Sequence, residues 1–207
     1  MLEIVIGFIE SVIGEESFLL VGESYGGKIV MGLLSRVRER IDGVFLLCAS
    51  VDSLNGAANT DHLPERQVIL QTETRSHIKE NQNYNDFMEI AVIATSETFD
   101  RYVNDVLPGL DSADKEFLSN NCDPEYSIEM QEEIRSIVFD KPSCILTGRQ
   151  DHVVGYINAY ELVARFSRAT FAVLDCAGHN LQIENEALFN QFIKDWIWRV
   201  ELCNIAK

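Results

Sequence analysis

A serine stands between two glycines in the segment Gly22-Glu23-Ser24-Tyr25-Gly26, which has the pattern G-x-S-x-G. A serine that sits on a sharp turn between a strand and a helix can act as a nucleophile. An apolar run at residues 17–21 precedes the motif and a helical pattern follows it, so the sequence supplies that context. We expect Gly22 and Gly26 to remove side chains that would clash with the neighbouring backbone. The alternative is an incidental serine in a tight turn.

The residue after the serine, Tyr25, would begin the helix that follows the turn. The N-terminus of a helix carries a partial positive charge, which favours a negative charge nearby. When a serine hydroxyl attacks a carbonyl carbon, the carbonyl oxygen becomes an oxyanion. We therefore expect the backbone N–H of Tyr25 to stabilise that oxyanion.

A serine hydroxyl is a poor nucleophile unless a base removes its proton. The chain contains four histidines, which are His62, His77, His152 and His179. His179 comes just after the apolar run at residues 169–174, which is typical of a buried strand. In a parallel sheet it would lie at the same edge as Ser24, so we expect His179 to be the base. A surface or structural role is the better interpretation of His62 and His77.

A histidine base in turn requires an acid that fixes its tautomer and stabilises its cation. Asp151 follows the apolar run at residues 142–148, and Asp52 follows the run at residues 43–49. We favour Asp151, because the next strand end along the chain would bring His179 beside it. Asp52 remains the competing acid.

Four apolar runs separated by helical patterns must position these side chains. The runs cover residues 17–21, 43–49, 142–148 and 169–174. Continuous apolar strands that alternate with helices predict an α/β fold, with a parallel sheet covered by helices on both faces. We expect residues 1–54 and 141–207 to form this core, and residues 55–140 to form a helical insertion without strands. Within the insertion, Pro108-Gly109 is predicted to end one helix and residues 111–121 to form another.

The composition excludes several classes of function. The net charge is −16, and residues 55–140 hold 18 acidic side chains against 6 basic ones, which disfavours binding to nucleic acid. No apolar run reaches the roughly 18 residues of a membrane span. The five cysteines are widely spaced without a C-x-x-C pair, so we expect no metal site, no cofactor and a reducing cytoplasmic location.

Three stretches taken together, GESYGG, TGRQDHVVGY and CAGHNLQIE, resemble bacterial α/β-hydrolase fold proteins, and the resemblance spans nearly the whole chain. It implies that Ser24, Asp151 and His179 form a catalytic triad, in the chain order found in that family. It also implies that Tyr25 gives one N–H of the oxyanion hole and that the insertion is a cap. Serine at position 24 argues against the haloalkane dehalogenase and epoxide hydrolase branches, which use a carboxylate there.

The family fold has further strands before its nucleophile, whereas this sequence starts at the helix that precedes it. We expect the fold to be N-terminally incomplete by about 60 residues, judged from the size of βαβ units. Those residues would contain the loop that gives the second oxyanion-hole N–H. They would also pair with residues 17–21, so a second copy of the chain or a complementing N-terminal segment is the expected partner.

The sequence therefore predicts a serine hydrolase that acts on a small-molecule ester, thioester or related acyl compound. Amide and carbon–carbon bonds are alternatives that the motifs do not separate from esters. A second hypothesis is a protein of the same fold that lacks a working site and binds a ligand or partner without catalysis.

Overall fold

A four-stranded parallel sheet forms the centre of the protein in the computed structural model, which describes residues 1–51, 63–72, 76–117 and 136–205. Its strands are β1 (Phe18–Glu23), β2 (Ile41–Leu47), β5 (Ser143–Gly148) and β6 (Ala169–Leu174), while β3 (Leu70–Gln71) and β4 (Ile93–Ala94) form a separate ladder. The strands of the main sheet lie in the order β1-β2-β5-β6, and every neighbouring pair is parallel. The predicted α/β fold with a parallel sheet is confirmed.

Helices pack on both faces of this sheet. The core helices are α1 (Leu2–Val12), α2 (Tyr25–Val37), α7 (Ile157–Glu161), α8 (Leu181–Glu184) and α9 (Glu186–Ile205), with 3-10 turns at Arg38–Arg40 and Leu162–Ala164. Successive side chains of a strand point to opposite faces. Leu46 of β2 accordingly packs in the same cluster as Leu33 of α2, and Phe45 packs in the other cluster with Trp196 of α9. Burial of each such side chain stabilises the fold by about 1.5–3 kcal/mol.

The described part of the insertion contains four short helices with both ends described, a further helical stretch at residues 115–117, and its own apolar cluster. The helices are α3 (Ser76–Lys79), α4 (Tyr84–Ile90), α5 (Ser96–Arg101) and α6 (Leu107–Asp111). The ring of Phe87 meets those of Phe99 and Tyr102 at centroid distances of 5.3 and 5.5 Å. The expectation that the insertion has no strand is wrong, because β3 and β4 pair in parallel. A ladder of two residues on each side is too short to leave an alternating sequence pattern.

Pro108-Gly109 does not end a helix, contrary to the prediction. The chain continues from α5 through a π-helical turn, Tyr102–Val106, directly into α6, in which Pro108 is the second residue. Proline has no N–H to donate, and the N–H of Leu107 before it bonds five residues back to the Tyr102 carbonyl, so the helical path continues past Pro108 by way of the π-helical turn. The predicted helix over residues 111–121 lies partly outside the described residues. Within the described part, α6 ends at Asp111 and residues 115–117 are helical.

No helix in the described ranges combines the length and the apolar character that crossing a membrane requires.

The four cysteines in the described ranges are free thiols, namely Cys48, Cys144, Cys176 and Cys203. Burial raises the pKa of Cys144 to about 12, so this thiol stays protonated at neutral pH.

The strand β1 lies at one edge of the main sheet as described, with β2 as its neighbour. Two of its apolar side chains are open to solvent, since Leu19 is 41% and Val21 is 56% exposed. An open strand edge with apolar side chains is a template for pairing with another strand.

We expect the purified chain to self-associate as its concentration rises, and Val21→Lys to weaken that association in sedimentation velocity. Val138→Lys is the matched control, because Val138 is also 56% exposed. A chain that stays monomeric at every concentration would contradict the expectation.

Candidate active site

Ser24 occupies a strained turn between β1 and α2. Its backbone angles are φ 51° and ψ −123°, a region that residues with a side chain rarely adopt. The N–H of Ser24 donates to the Leu47 carbonyl at 3.2 Å, and the Ser24 carbonyl accepts the N–H groups of Gly27 at 2.9 Å and Ser50 at 2.8 Å. These bonds tie the turn to the end of β2 and to the first turn of α2. The strained conformation therefore persists because the surrounding backbone fixes it.

The two glycines of the G-x-S-x-G motif have different surroundings. A Cβ atom on Gly22 would lie 2.6 Å from both the Gly26 carbonyl oxygen and Cγ2 of Val30, so a side chain is excluded there as predicted. The predicted clash at Gly26 is wrong, because among the described residues a Cβ there would meet nothing within 4 Å beyond its own helix. The tight approach falls one residue later, where a Cβ on Gly27 would lie 2.5 Å from that of Ala49.

Ser24, His179 and Asp151 form one chain of hydrogen bonds at the carboxyl edge of the sheet. The Ser24 Oγ lies 2.9 Å from Nε2 of His179, and Nδ1 of His179 lies 3.0 Å from Oδ2 of Asp151. The three residues follow the ends of β1, β6 and β5 respectively, which is why they meet. Tyr25 is the first residue of α2, so its backbone N–H lies beside the serine at the helix N-terminus.

Asp151 is fully buried, and both of its carboxylate oxygens have partners. While Oδ2 faces His179, Oδ1 accepts the N–H of Val153 at 2.9 Å and that of Val154 at 3.1 Å. A buried carboxylate is tolerated only when it is paired and hydrogen-bonded. The two N–H donors therefore hold the carboxylate plane in the orientation that presents Oδ2 to the imidazole.

The other candidate residues take no part in this chain of hydrogen bonds as far as the structure describes them. Asp52, the competing acid, and His62 fall outside the described residues. His77 belongs to α3 of the insertion. His152 lines the cleft next to Ser24, and its Nδ1 is buried without a hydrogen-bond partner in the described part of the chain.

Glu184, at the end of α8, joins the loop that carries His179 to the insertion. Its Oε2 accepts the N–H of Gly178 at 2.6 Å, and its Oε1 accepts the N–H groups of Val92 at 2.6 Å and Ile93 at 3.2 Å. Burial raises the pKa of this carboxyl, and the three N–H donors oppose that shift because they favour the charged form. Glu184 ends the stretch CAGHNLQIE, but it was assigned no role from the sequence, because its partners at Val92 and Ile93 are distant along the chain.

Gln150 forms a second link, between the loop of the acid and the loop of the base. Its Nε2 donates to Oδ1 of Asp175 at 2.7 Å, and its Oε1 accepts the N–H of Ala177 at 3.2 Å. The hydrogen bond from Gln150 lowers the pKa of Asp175. This residue was also missed, although it directly precedes Asp151.

Glu184→Gln is expected to lower kcat by about 10- to 100-fold and to leave KM nearly unchanged, because a small displacement of a catalytic group is costly. An amide in place of the carboxylate would set its NH₂ against a backbone N–H and so displace the His179 loop. Steady-state kinetics on the folded variant would measure this split between kcat and KM. Glu201→Gln, an exposed change on α9, is the matched control. Equal kcat for Glu184→Gln and the control would show that Glu184 does not position His179.

A cleft of about 670 Å³ opens over Ser24 and His179. The sheet side of the cleft includes Asn180, next to the histidine. The insertion forms a facing wall with Asp86 and Glu89 of α4 and with Tyr102 of the π-helical turn. A substrate bound at Ser24 would therefore contact both the core and the insertion.

Cys48 lies behind the site, and its Sγ donates to the Gly178 carbonyl at 3.4 Å. Ligand atoms of Cys48, Asp151 and His179 all lie within 4.8 Å of one another, a spacing that a metal ion could bridge. However, burial raises the pKa of Cys48 well above its usual range, whereas metals bind the thiolate. Asp151 and His179 already hydrogen-bond each other, so the donor set does not fit a metal centre.

Comparisons with known proteins agree with this architecture. A sequence profile described as the alpha/beta hydrolase fold matches residues 3–186. No curated protein matches the chain significantly. Among solved structures, an alpha/beta superfamily hydrolase from Oenococcus oeni PSU-1 is 27% identical with a TM-score of 0.83, and the alignment covers 97% of this chain and 73% of that one.

Two further solved structures are similar in fold. A meta-cleavage product hydrolase from Pseudomonas fluorescens IP01 is 23% identical with a TM-score of 0.57, covering 100% of this chain and 71% of that one. A thermophilic esterase is 15% identical with a TM-score of 0.59, covering 96% and 72%. At these identities the likeness concerns the fold alone.

Proposed function

The chain belongs to the α/β-hydrolase fold family and is a hydrolase, and we propose that it is a serine hydrolase that cleaves an ester, thioester or related acyl substrate. The observation that carries this proposal is the chain of hydrogen bonds at 2.9 Å and 3.0 Å from Ser24 through His179 to Asp151. Nucleophile, base and orienting acid are recognised by this geometry.

In the first half of the reaction, the Ser24 Oγ attacks the carbonyl carbon of the substrate while Nε2 of His179 takes the hydroxyl proton. The buried carboxylate of Asp151 stabilises the imidazolium and keeps the neutral ring in the tautomer with its proton on Nδ1. The backbone N–H of Tyr25 and the N-terminus of α2 stabilise the oxyanion. His179 then protonates the leaving group, which departs and leaves an acyl-Ser24 ester.

In the second half, His179 removes a proton from a water molecule, and the resulting hydroxide attacks the acyl carbon. The Ser24 Oγ leaves and regains its proton from His179, so the enzyme returns to its starting state with release of a carboxylic acid. The small-molecule substrate would lie in the cleft between the core and the insertion.

Fluorophosphonate labelling tests the proposal without knowledge of the substrate. The activated Oγ of Ser24 would attack phosphorus and expel fluoride, which leaves a stable phosphonyl ester on that residue. We expect mass spectrometry to find the label on Ser24 in the wild-type chain and no label in Ser24→Ala. A folded chain that takes up no label would instead favour a protein of this fold that binds ligands without catalysis.

A further inference from the structure

The cleft over Ser24 is lined by acidic side chains on several sides. Glu23 directly precedes the serine, Asp86 and Glu89 project from α4, and Asp105 belongs to the π-helical turn. No lysine or arginine lines the cleft in the described part of the chain. A ligand in the cleft would therefore face carboxylates from the core and from the insertion.

These carboxylates are only partly compensated by neighbouring cations. Asp105 pairs with Arg101, and Glu23 accepts a hydrogen bond from the neutral Gln182 at 2.9 Å. Within the described ranges, Asp86 and Glu89 make no ion pair or side-chain hydrogen bond. Arg66 lies at the end of α4, where it donates to the backbone carbonyls of Met88 and Glu89 rather than to a carboxylate.

Two groups that line the cleft have raised pKa values. The pKa of Tyr102 is raised, first by burial and then by the carboxylates of Asp86 and Asp111. The pKa of Glu23 is raised mainly because surrounding protein partly removes its carboxyl from water, although solvent still reaches the side chain. Both groups are therefore harder to ionise beside the cleft than they are in water.

A polar side chain on the opposite wall provides an independent sign of a bound ligand. Asn180 is only 5% exposed and lines the cleft beside His179. Its Nδ2 is buried and has no hydrogen-bond partner among the described residues. An unsatisfied buried amide is costly, and a substrate carbonyl or ether oxygen would satisfy it.

We propose that the cleft selects acyl substrates that carry a positively charged group, which binds against Asp86 and Glu89 while an oxygen of the substrate accepts from Asn180. The inference rests on the proposed serine hydrolase function. A cation in the cleft would be attracted to the exposed carboxylates of Asp86 and Glu89, which no lysine or arginine of the described lining neutralises, and salt would screen that attraction. A carboxylate of the same size would be repelled.

The test compares three fluorophosphonate probes whose alkyl chains are of equal length and end in a trimethylammonium group, a tert-butyl group or a carboxylate. The rate of Ser24 labelling is measured for each at low salt. We expect the cationic probe to react about tenfold faster than the neutral one, and the anionic probe to react about tenfold more slowly. Both differences from the neutral probe should become smaller in 0.5 M salt, where the screening length is below about 5 Å.

Charge-removing variants locate the effect. The double variant Asp86→Asn/Glu89→Gln should bring the cationic-to-neutral ratio down at least about threefold. The control Glu80→Gln/Asp100→Asn removes two exposed charges of the insertion outside the cleft lining, and should keep the wild-type ratio.

The outcomes separate the two proposals. Equal labelling by all three probes would overturn the cation preference and leave the serine hydrolase function standing. If the control variant lowered the cationic-to-neutral ratio as much as Asp86→Asn/Glu89→Gln does, the cation preference would also be overturned, because it would then reflect net charge alone. No labelling by any probe would overturn the proposed function and this inference together.

Discussion

Replacing Ser24 with alanine is expected to reduce turnover by roughly 10⁶-fold, the scale seen when a triad nucleophile is removed. The methyl group cannot form an acyl-enzyme, and His179 would have no hydroxyl to deprotonate. The strained backbone at Ser24 is held by bonds to Leu47, Gly27 and Ser50 that use main-chain atoms only, so the fold should survive. A chromogenic short-chain ester, with circular dichroism of the same preparation, would measure both effects.

Ser35→Ala is the matched control for this experiment. Ser35 lies on the same helix, α2, and its Oγ donates to the Gly32 carbonyl at 2.7 Å, away from the cleft. We expect this variant to keep turnover close to that of the wild-type chain. If Ser24→Ala retained the turnover of Ser35→Ala with an unchanged spectrum, the serine would be incidental to the activity.

The sequence was informative wherever one local pattern decided the structure. Continuous apolar runs predicted the parallel sheet, and strand ends predicted that Ser24, Asp151 and His179 would meet at one edge. The requirement for glycine at position 22 followed from the tight turn. At Gly26 the same local argument was wrong, because the path of α2 moves the closest approach to Gly27 and Ala49.

Features that depend on contacts between distant segments could not be predicted in this way. Glu184 accepts N–H groups from Val92 and Ile93, which lie in the insertion and far away in sequence. The pairing of β3 with β4 joins segments more than 20 residues apart and involves only two residues on each strand. Pro108 shows the limit of a local rule, because a preceding π-helical turn allows the helix to continue.

Asp151→Asn is expected to lower kcat by about 10⁴-fold through a change of tautomer. The two N–H donors of Val153 and Val154 would bind the amide oxygen of the new side chain, because an NH₂ group cannot accept from them. The amide nitrogen would then face Nδ1 of His179 as a donor. The imidazole of His179 would then carry its proton on Nε2, so Nε2 could not accept the proton of Ser24.

Asp151→Asn keeps the size of the buried side chain and its hydrogen bonds to the backbone, so a loss of kcat would report the change of tautomer. Asp140→Asn, an exposed change just before β5, is the control and should leave kcat close to that of the wild-type chain. Rates of fluorophosphonate labelling should fall in parallel with kcat, because both report attack by the Ser24 Oγ. If Asp151→Asn kept kcat within about tenfold of the control, well short of the loss expected for a triad acid, another acid would have to orient His179. The competing residue would then be Asp52, and Asp52→Asn would be required to show the larger loss.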